Sequence, residues 1–312
     1  MSEHLLTRDQ GRPGLSAADE PVLRVAAGGG DRITFETDDT AYAQMEERRD
    51  LAKVTAPLNP VTGPVFVEGA EPGDALAVTI EDITFGDFGW SVYIPGAGAL
   101  AGPMGEEWFV RRIPLRDGRV QLTDGLDCPA APMVGCVMVA PADGDLSTVM
   151  PSYPTGGNMD LTDAAPGSTV YLPVQVPGAL LSLGDLHAVM SRGESSFVAI
   201  EAAGRVTVTV DVVKGLGARL RAPRVDTGRE LVCVGLGDPV QDSIDMAYES
   251  LFSVLVDERG VSREDAYVVM SALAHTELGG PTGSVAPDPL HPFRPVGAVT
   301  LARIAHEVLD AL

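Results

Sequence analysis

Apolar and polar residues alternate with a period of two along much of residues 21–213, the pattern of strands that bury one face. These stretches are separated by turns such as Glu71-Pro72-Gly73-Asp74, where Pro presets the backbone and Gly supplies a positive φ. The predicted strand regions are Pro21–Thr37, Thr62–Ile80, Trp108–Leu115, Gly118–Asp124, Met133–Pro141, Thr169–Val176 and Phe197–Val213. Short strands with frequent turns favour a β-sandwich or barrel.

A helical period replaces this alternation towards the C-terminus. Asp238–Val256 carries apolar residues three and four apart, and Ser262 is a suitable cap for a further helix. Val299–Leu312 is predicted as a closing amphipathic helix, and Ala41–Asp50 as a short one. The predicted fold class is therefore mostly β, with sandwich- or barrel-like sheets and a smaller α/β C-terminal part. No linker divides the chain; we expect a loose arm at residues 1–20, a β-rich core at 21–225 and a helical part packed on it at 226–312.

Four polar or aromatic positions in this scaffold have two interpretations each. Phe85–Gly102 is rich in Gly and aromatic residues and is predicted as a long loop, in which Trp90 and Tyr93 either wall a pocket or fill the core. Asp38 follows a predicted strand, where it either serves a site or caps the next helix. Glu68 is either a buried, paired site residue or an exposed residue at the rim of a sheet.

Composition narrows the classes of protein to which the chain can belong. With 312 residues, 45 % of them hydrophobic, it can bury a substantial core. A net charge of −22 disfavours nucleic acid and anionic lipid as partners, and a small neutral or cationic substrate fits better. No apolar run is long enough to span a bilayer, and the first residues lack a signal-peptide pattern, so we expect a cytoplasmic protein. An acidic surface also keeps a hydrophobic chain soluble, so the negative net charge by itself indicates no activity.

The stretch from residue 151 to 201 concentrates polar side chains among apolar ones. The apolar run Thr169–Leu183 leads directly into Gly184-Asp185-Leu186-His187. Because residues two apart on a strand share a face, Asp185 and His187 are expected to point the same way at the rim of a sheet. Carboxylates with one imidazole suit a divalent metal such as zinc, with a position left open for water. The side chains of these ligand types are Asp160, Asp185, His187 and Glu201, with Glu194 placed to act as a base or a further ligand.

Spacing alone does not make this a metal site. Neither HExxH nor CxxC occurs, and the same pattern arises if His187 is a core histidine and the acids are turn residues. A covalent nucleophile is disfavoured, since there is no GxSxG motif and the three cysteines have apolar neighbours that indicate buried thiols.

Several segments together resemble the acetamidase/formamidase family, metal-associated amidohydrolases that release ammonia from short amides. They occur in the family's order: FETDDT at Phe35–Thr40, TGPVFVEGAEPGD at Thr62–Asp74, FGWSVYIPGAG at Phe88–Gly98, PMVGCVMVAP at Pro132–Pro141, GGNMDLTD at Gly156–Asp163, GSTVYLPVQVPGALLSLGDLHA at Gly167–Ala188, and GE followed by AIE within Gly193–Glu201.

The resemblance implies a metal-dependent hydrolase of a small aliphatic amide, a divalent ion (zinc, with calcium as the alternative) and a homodimer or higher homo-oligomer. On this hypothesis Asp160, Asp185 and His187 hold the ion, Asn158 orients the substrate or a ligand, and Glu194 or Glu201 accepts a proton from water. The candidates for substrate contact are Asp38, Glu68, Trp90 and Tyr93.

The chain departs from the family pattern at Met190 and Arg192, where the family usually carries Gln and Asp. An Arg in place of an Asp reverses one charge, which would change how a pocket discriminates a carboxylate from an amide. The second hypothesis is accordingly a non-catalytic relative with the same fold that binds a small molecule or a partner protein.

Overall fold

Strands dominate the computed structural model, which describes residues 2–149, 152–194, 196–280 and 298–312. In chain order the strands are β1 Glu3–Leu6, β2 Gly11–Arg12, β3 Gly14–Ser16, β4 Leu23–Ala26, β5 Arg32–Glu36, β6 Val61–Glu68, β7 Ala75–Phe85, β8 Phe88–Tyr93, β9 Phe109–Arg116, β10 Arg119–Thr123, β11 Leu126–Pro129, β12 Met133–Met138, β13 Asp145–Ser147, β14 Gly156–Asn158, β15 Thr169–Pro173, β16 Leu181–Val189, β17 Ile200–Glu201, β18 Gly204–Val213, β19 Arg224–Asp226, β20 Glu230–Gly237, β21 His275–Leu278 and β22 Ala298–Ala305. The helices are α1 Thr40–Arg48, α2 Ala101–Met104, α3 Val240–Ser253 (continued by a π-helical turn, Val254–Glu258), α4 Arg263–Leu273 and α5 His306–Asp310.

Two large sheets are built from these strands. The first has the order β1-β5-β18-β7-β15-β19-β20-β22-β21, and the second has the order β11-β10-β9-β8-β17-β16-β12-β14, with β6 joining β16 to β2 and β4. Side chains from both sheets, such as Phe35 and Ile80 from the first and Val137 and Leu183 from the second, form one buried apolar cluster. The sheets therefore pack face to face, and the mostly-β fold class predicted from the pattern is confirmed.

The C-terminal part adds a helical layer to the first sheet. Helix α3 packs against β20 and β22, and Ala247 and Leu251 share a buried cluster with Cys233 and Ile304. Ser262 caps α4 as predicted, since its hydroxyl accepts a hydrogen bond from the backbone N–H of Asp265 at 3.0 Å. Among the described residues, no helix combines the length and the apolarity needed to cross a membrane.

Two predicted elements near the ends of the chain are wrong. Residues 299–312 form strand β22 followed only by the short α5; β22 lies between β20 and β21 and is buried on both faces, so its apolar residues do not alternate. Residues 2–20, the described part of the predicted loose arm 1–20, form strands instead, because β1 pairs with β5, β2 with β6 and β3 with β13.

Two further predictions in the middle of the chain also need correction. The supposed loop Phe85–Gly102 contains strand β8, where aromatic residues fit the pleated surface. The apolar run Thr169–Leu183 is divided between β15 in the first sheet and β16 in the second. Asp185 and His187 therefore lie within an interior strand rather than at a rim.

Candidate metal centre

Four adjacent strands of the second sheet, β17, β16, β12 and β14, bring polar side chains from β17, β16 and the end of β14 together. Glu201 on β17 is in register with His187 on β16, while β16 pairs with β12 and β12 pairs with β14. Asn158 ends β14, and Asp160 follows it after one residue. Neighbouring strands are about 4.8 Å apart, so this pairing brings groups that are distant in the sequence to one place.

Gly135 lies on β12, between β16 and β14, and leaves the space that the acids occupy. A Cβ at this position would lie 2.4 Å from Asp185 Oδ2 and 2.5 Å from Asp160 Oδ1. Its carbonyl accepts the backbone N–H groups of Met159 and Asp160, at 3.1 and 3.2 Å. Gly135 therefore both makes room for the two carboxylates and holds the loop that carries one of them.

The side chain of His187 is at the centre of the cluster. Its Nε2 lies 3.3 Å from Glu201 Oε2, 3.5 Å from Asp185 Oδ1 and 3.7 Å from Asp160 Oδ1. Two overlapping groups keep their ligand atoms within 4.8 Å of one another, namely Asp160, Asp185 and His187, and His187, Glu194 and Glu201. The structure thus brings together all five of the ionisable residues selected from the stretch 151–201.

Burial determines the electrostatics of this cluster. All five side chains are buried, and His187 and Asp160 are each only 1 % exposed. Burial raises the pKa of Asp160 well above its usual value, and the nearby Asp185 adds to the increase. Burial likewise raises the pKa of Glu194 well above normal, assisted by Asp160, and it raises the pKa of Glu201. Burial lowers the pKa of His187, but the carboxylates of Glu201 and Asp185 outweigh this effect and leave that pKa well raised.

The residues fit a divalent cation on three grounds. Four carboxylates face a single imidazole, so without protons or a cation the cluster would bury several uncompensated negative charges. The buried atoms Asp160 Oδ1, Asp185 Oδ2 and His187 Nδ1 have no hydrogen-bond partner. Oxygen and imidazole donors are also the types that zinc accepts.

The backbone supports the same interpretation. Asp160, Asp185 and Glu194 have φ values of 46°, 61° and 40°, a region that residues other than glycine rarely occupy. Each such conformation costs on the order of 1 kcal/mol and persists where the surrounding structure enforces it, often at functional sites.

Asn158 contacts the cluster through an amide hydrogen bond. Its Nδ2 donates to Asp160 Oδ2 at 2.9 Å, while its Oδ1 is buried without a hydrogen-bond partner. The amide therefore fixes one oxygen of Asp160 and presents a free acceptor beside it.

The four residues selected for substrate contact lie in different surroundings. Trp90 is in register with Glu201, but it is 1 % exposed and its Nε1 donates to Asp39 Oδ2 at 2.6 Å. Tyr93 is buried and donates to the carbonyl of Gly105 at 2.6 Å. Asp38 accepts from the N–H and the hydroxyl of Thr40 at the start of α1, whose N-cap residue is Asp39.

The fourth of these residues, Glu68, is exposed at the C-terminal end of β6. Val61, at the other end of the same strand, pairs with Gly184 beside the cluster. Glu68 and Val61 are seven steps apart along an extended strand, a distance of roughly 23 Å. The structure does not bring Glu68, Asp38 or Tyr93 into the cluster.

Two residues around the cluster were missed by sequence reasoning. Gly135 stands alone inside the apolar strand MVGCVM, and an isolated Gly within a strand is a recognised sign of close approach by another group. Tyr42 on α1 is buried and its hydroxyl donates to Asn59 Oδ1 at 3.0 Å. Burial and the negative charges of Glu201 and Asp185 raise its pKa well above normal; no local pattern indicated this position.

Comparison with known proteins adds independent evidence. A model of the Acetamidase/Formamidase family matches residues 128–273, a range that includes the whole cluster. A recombinant predicted acetamidase/formamidase from the thermophile Thermoanaerobacter tengcongensis has a crystal structure that superposes with a TM-score of 0.88 and 29 % sequence identity, covering 99 % of this chain and 98 % of that one. The chain belongs to the acetamidase/formamidase family.

Two curated proteins of this family are also similar in sequence. Acetamidase from Mycolicibacterium smegmatis is 28 % identical over 275 residues, which covers 67 % of this family member and 68 % of that protein. Formamidase from Methylophilus methylotrophus is 29 % identical over 211 residues, about half of each chain, at 49 % and 51 %.

Proposed function

We propose that this acetamidase/formamidase family member is a metal-dependent amidohydrolase that converts a small aliphatic amide and water into a carboxylic acid and ammonia. The observation that carries the proposal is the buried cluster of four carboxylates and one imidazole, with ligand atoms that have no hydrogen-bond partner. Strongly perturbed ionisable groups gathered in one place are typical of functional sites. The names of the relatives support the choice of amides as substrates.

In this proposal Asp160, Asp185 and His187 hold the ion, with zinc as the first choice and calcium as the alternative. When bound, the ion supplies Lewis acidity at the amide carbonyl. Asn158 fixes Asp160 through its amide and offers its free Oδ1 to the N–H of the substrate amide. The residue types and the orphaned atoms support these assignments.

Glu194 is our choice for the proton acceptor. Both oxygens of Glu201 already have neighbours, since Oε1 accepts from the N–H of Ala199 at 3.0 Å and Oε2 lies 3.3 Å from His187 Nε2. Burial raises the pKa of Glu194 well above its usual value, and a higher pKa makes a carboxylate a stronger proton acceptor. Glu194 accepts a proton from the attacking water and returns it to the leaving nitrogen.

Zinc binding and ammonia release test the proposal together. We expect protein stripped with a chelator to regain about one zinc ion per chain and to release ammonia from formamide, acetamide or propionamide only after zinc or calcium is added. Absence of both metal uptake and ammonia release across these amides would leave the binding-protein hypothesis.

Two matched substitutions separate the roles of the glutamates. Glu194→Gln should lower kcat by at least about 100-fold while zinc still binds, because it removes the base. Glu201→Gln, which replaces the carboxylate beside His187 by a neutral amide, should weaken zinc binding as well. The reverse result would assign the base to Glu201.

The family resemblance also leads us to propose a homodimer or higher homo-oligomer. Helix α4 exposes apolar side chains, with Tyr267 71 % and Val268 63 % exposed, and such surfaces often serve as interfaces. Analytical ultracentrifugation distinguishes a monomer from an oligomer directly.

A further inference from the structure

An ion-pair network lies beside the cluster; we call it the Arg192 clamp. Its members are Arg192, Arg303, Asp163, Glu230 and Glu277. Arg192 donates to Asp163 from Nη1 at 2.5 Å and from Nη2 at 3.5 Å, and its Nε lies 3.1 Å from Glu277 Oε2. Arg303 donates to Asp163 Oδ1 at 2.9 Å and to Glu277 Oε2 at 2.7 Å.

The clamp joins the two loops that complete the cluster. Asp163 is three residues after Asp160, and Arg192 is two residues before Glu194. These loops come from different strands, β14 and β16, so the chain itself does not fix their separation. The bonds between Arg192 and Asp163 are a direct link between them.

The end of β21 contacts the same two loops. The backbone N–H of Gly193 donates to the carbonyl of Gly279 at 3.1 Å. Gly280 approaches the other loop so closely that a Cβ there would lie 2.2 Å from the carbonyl oxygen of Met159. Glu277, which Arg192 and Arg303 both contact, therefore belongs to a segment that touches the loops of Asp160 and Glu194 alike.

The guanidinium of Arg192 is fully engaged by these acids. All three of its nitrogens face carboxylate oxygens, and Asp163 is buried, with a side chain only 4 % exposed. Arginine is suited to such a fixed, two-pronged contact because its donors are planar and permanently charged. Arg192 is thus not available as a free cation for a substrate carboxylate. Its positive charge, at a position where the family usually carries an Asp, is neutralised by Asp163 and Glu277.

We infer that Arg192 is a positioning residue: through Asp163 and Glu277 it holds the turn that carries Glu194 against the loop that carries Asp160. This inference rests on the proposed function of the cluster. Groups that orient ligating side chains without touching the ion typically change metal affinity or activity by about 10- to 100-fold when they are removed.

The test compares Arg192→Met with a matched control, Arg221→Met. Arg221 also bonds a carboxylate, Glu249 on α3, but it contacts no residue of the cluster or the clamp in the described part of the chain. Zinc affinity is measured by competition with a chromophoric chelator, on protein shown to be folded by circular dichroism. We expect Arg192→Met to bind zinc about 10-fold or more weakly and to release ammonia correspondingly more slowly, Arg221→Met to match the wild type, and Arg192→Lys to recover part of the loss.

A second variant covers the case in which Arg192→Met does not fold. Glu277→Gln replaces one charged partner of Arg192 by a neutral amide, on a side chain that is 38 % exposed, and leaves Asp163 and Arg303 in contact. We expect it to weaken zinc binding by about threefold, less than the 10-fold or larger loss expected for Arg192→Met, because the bonds between Arg192 and Asp163 remain. If the folded Arg192→Met protein binds zinc within twofold of the wild type, the inference about Arg192 is overturned and the proposed function is not. The same holds for Glu277→Gln if Arg192→Met does not fold. A wild-type protein that neither takes up zinc nor releases ammonia would overturn the proposed function, and the inference with it.

Discussion

Replacing Gly135 by alanine places a methyl group where two buried carboxylates meet. The new Cβ would lie 2.4 Å from Asp185 Oδ2 and 2.5 Å from Asp160 Oδ1, whereas ordinary contacts begin at 3.4 Å. The backbone of Gly135 within β12 is one that alanine adopts without strain, so the conflict is with the side chains alone. Both carboxylates must therefore move.

The size of this movement sets the expected loss. Each oxygen must retreat by about 1 Å, while ligand distances in metal sites are held to about 0.2 Å. A misplacement of about 1 Å commonly costs on the order of 100-fold in rate, or about 2.7 kcal/mol of transition-state stabilisation. We expect Gly135→Ala to lose zinc binding and ammonia release by at least this factor.

The assay measures zinc affinity by chelator competition and kcat by ammonia release, with thermal unfolding of the metal-free protein as the measure of folding. Gly125→Ala is the matched control, because a Cβ there meets nothing within 4 Å. A folded Gly135→Ala protein that binds zinc and turns over amides like the control would refute the idea that these two carboxylates share one ion.

Three other perturbations have defined outcomes. His187→Ala should abolish both zinc uptake and turnover; lower thermal stability with activity retained per folded molecule would make His187 structural. Burial raises the folded-state pKa of Asp160 and of Glu194, so the folded metal-free protein retains protons that the unfolded chain has lost, and its melting temperature should fall as the pH rises above about 4, the ordinary pKa of these groups. Added zinc should oppose that fall, because it binds the deprotonated groups. A melting temperature of the metal-free protein, measured with a chelator present, that rises with pH would contradict this prediction. Trp90→Phe removes the bond to Asp39 and should cost about 2 kcal/mol of stability with KM unchanged, whereas a raised KM at unchanged stability would support substrate contact by Trp90.

Period-two patterns predicted the strands well where one face of a strand is less buried than the other. Strand β10 has this alternating burial, and its hairpin with β9 was predicted from the sequence. Strand β22 was mistaken for a helix, since it is buried on both faces between two other strands and its apolar residues follow no strand period. The N-terminal strands are short and polar, and only their partners β5, β6 and β13 make them strands.

The residues of the cluster could be selected by their chemical type, but their convergence could not be derived from spacing. Asp185 and His187 share a strand, so period two brought them together. Asp160 and Glu201 approach them only through strand pairing across β12 and β17, which a single sequence does not reveal. The Arg192 clamp is still less predictable, because its members are up to 140 residues apart, as in the bond between Asp163 and Arg303.

The position of β22 between β20 and β21 has a consequence for biosynthesis. A ribosome delivers residues 298–305 after every other strand of the first sheet, yet they fill an interior place in it. Until they emerge, the nascent polypeptide exposes the unpaired edge of β20 with Val232 and Val234, and Asp163 lacks Arg303. The long sequence separations in this sheet imply slow assembly, so a growing chain must be protected from aggregation until β22 is inserted.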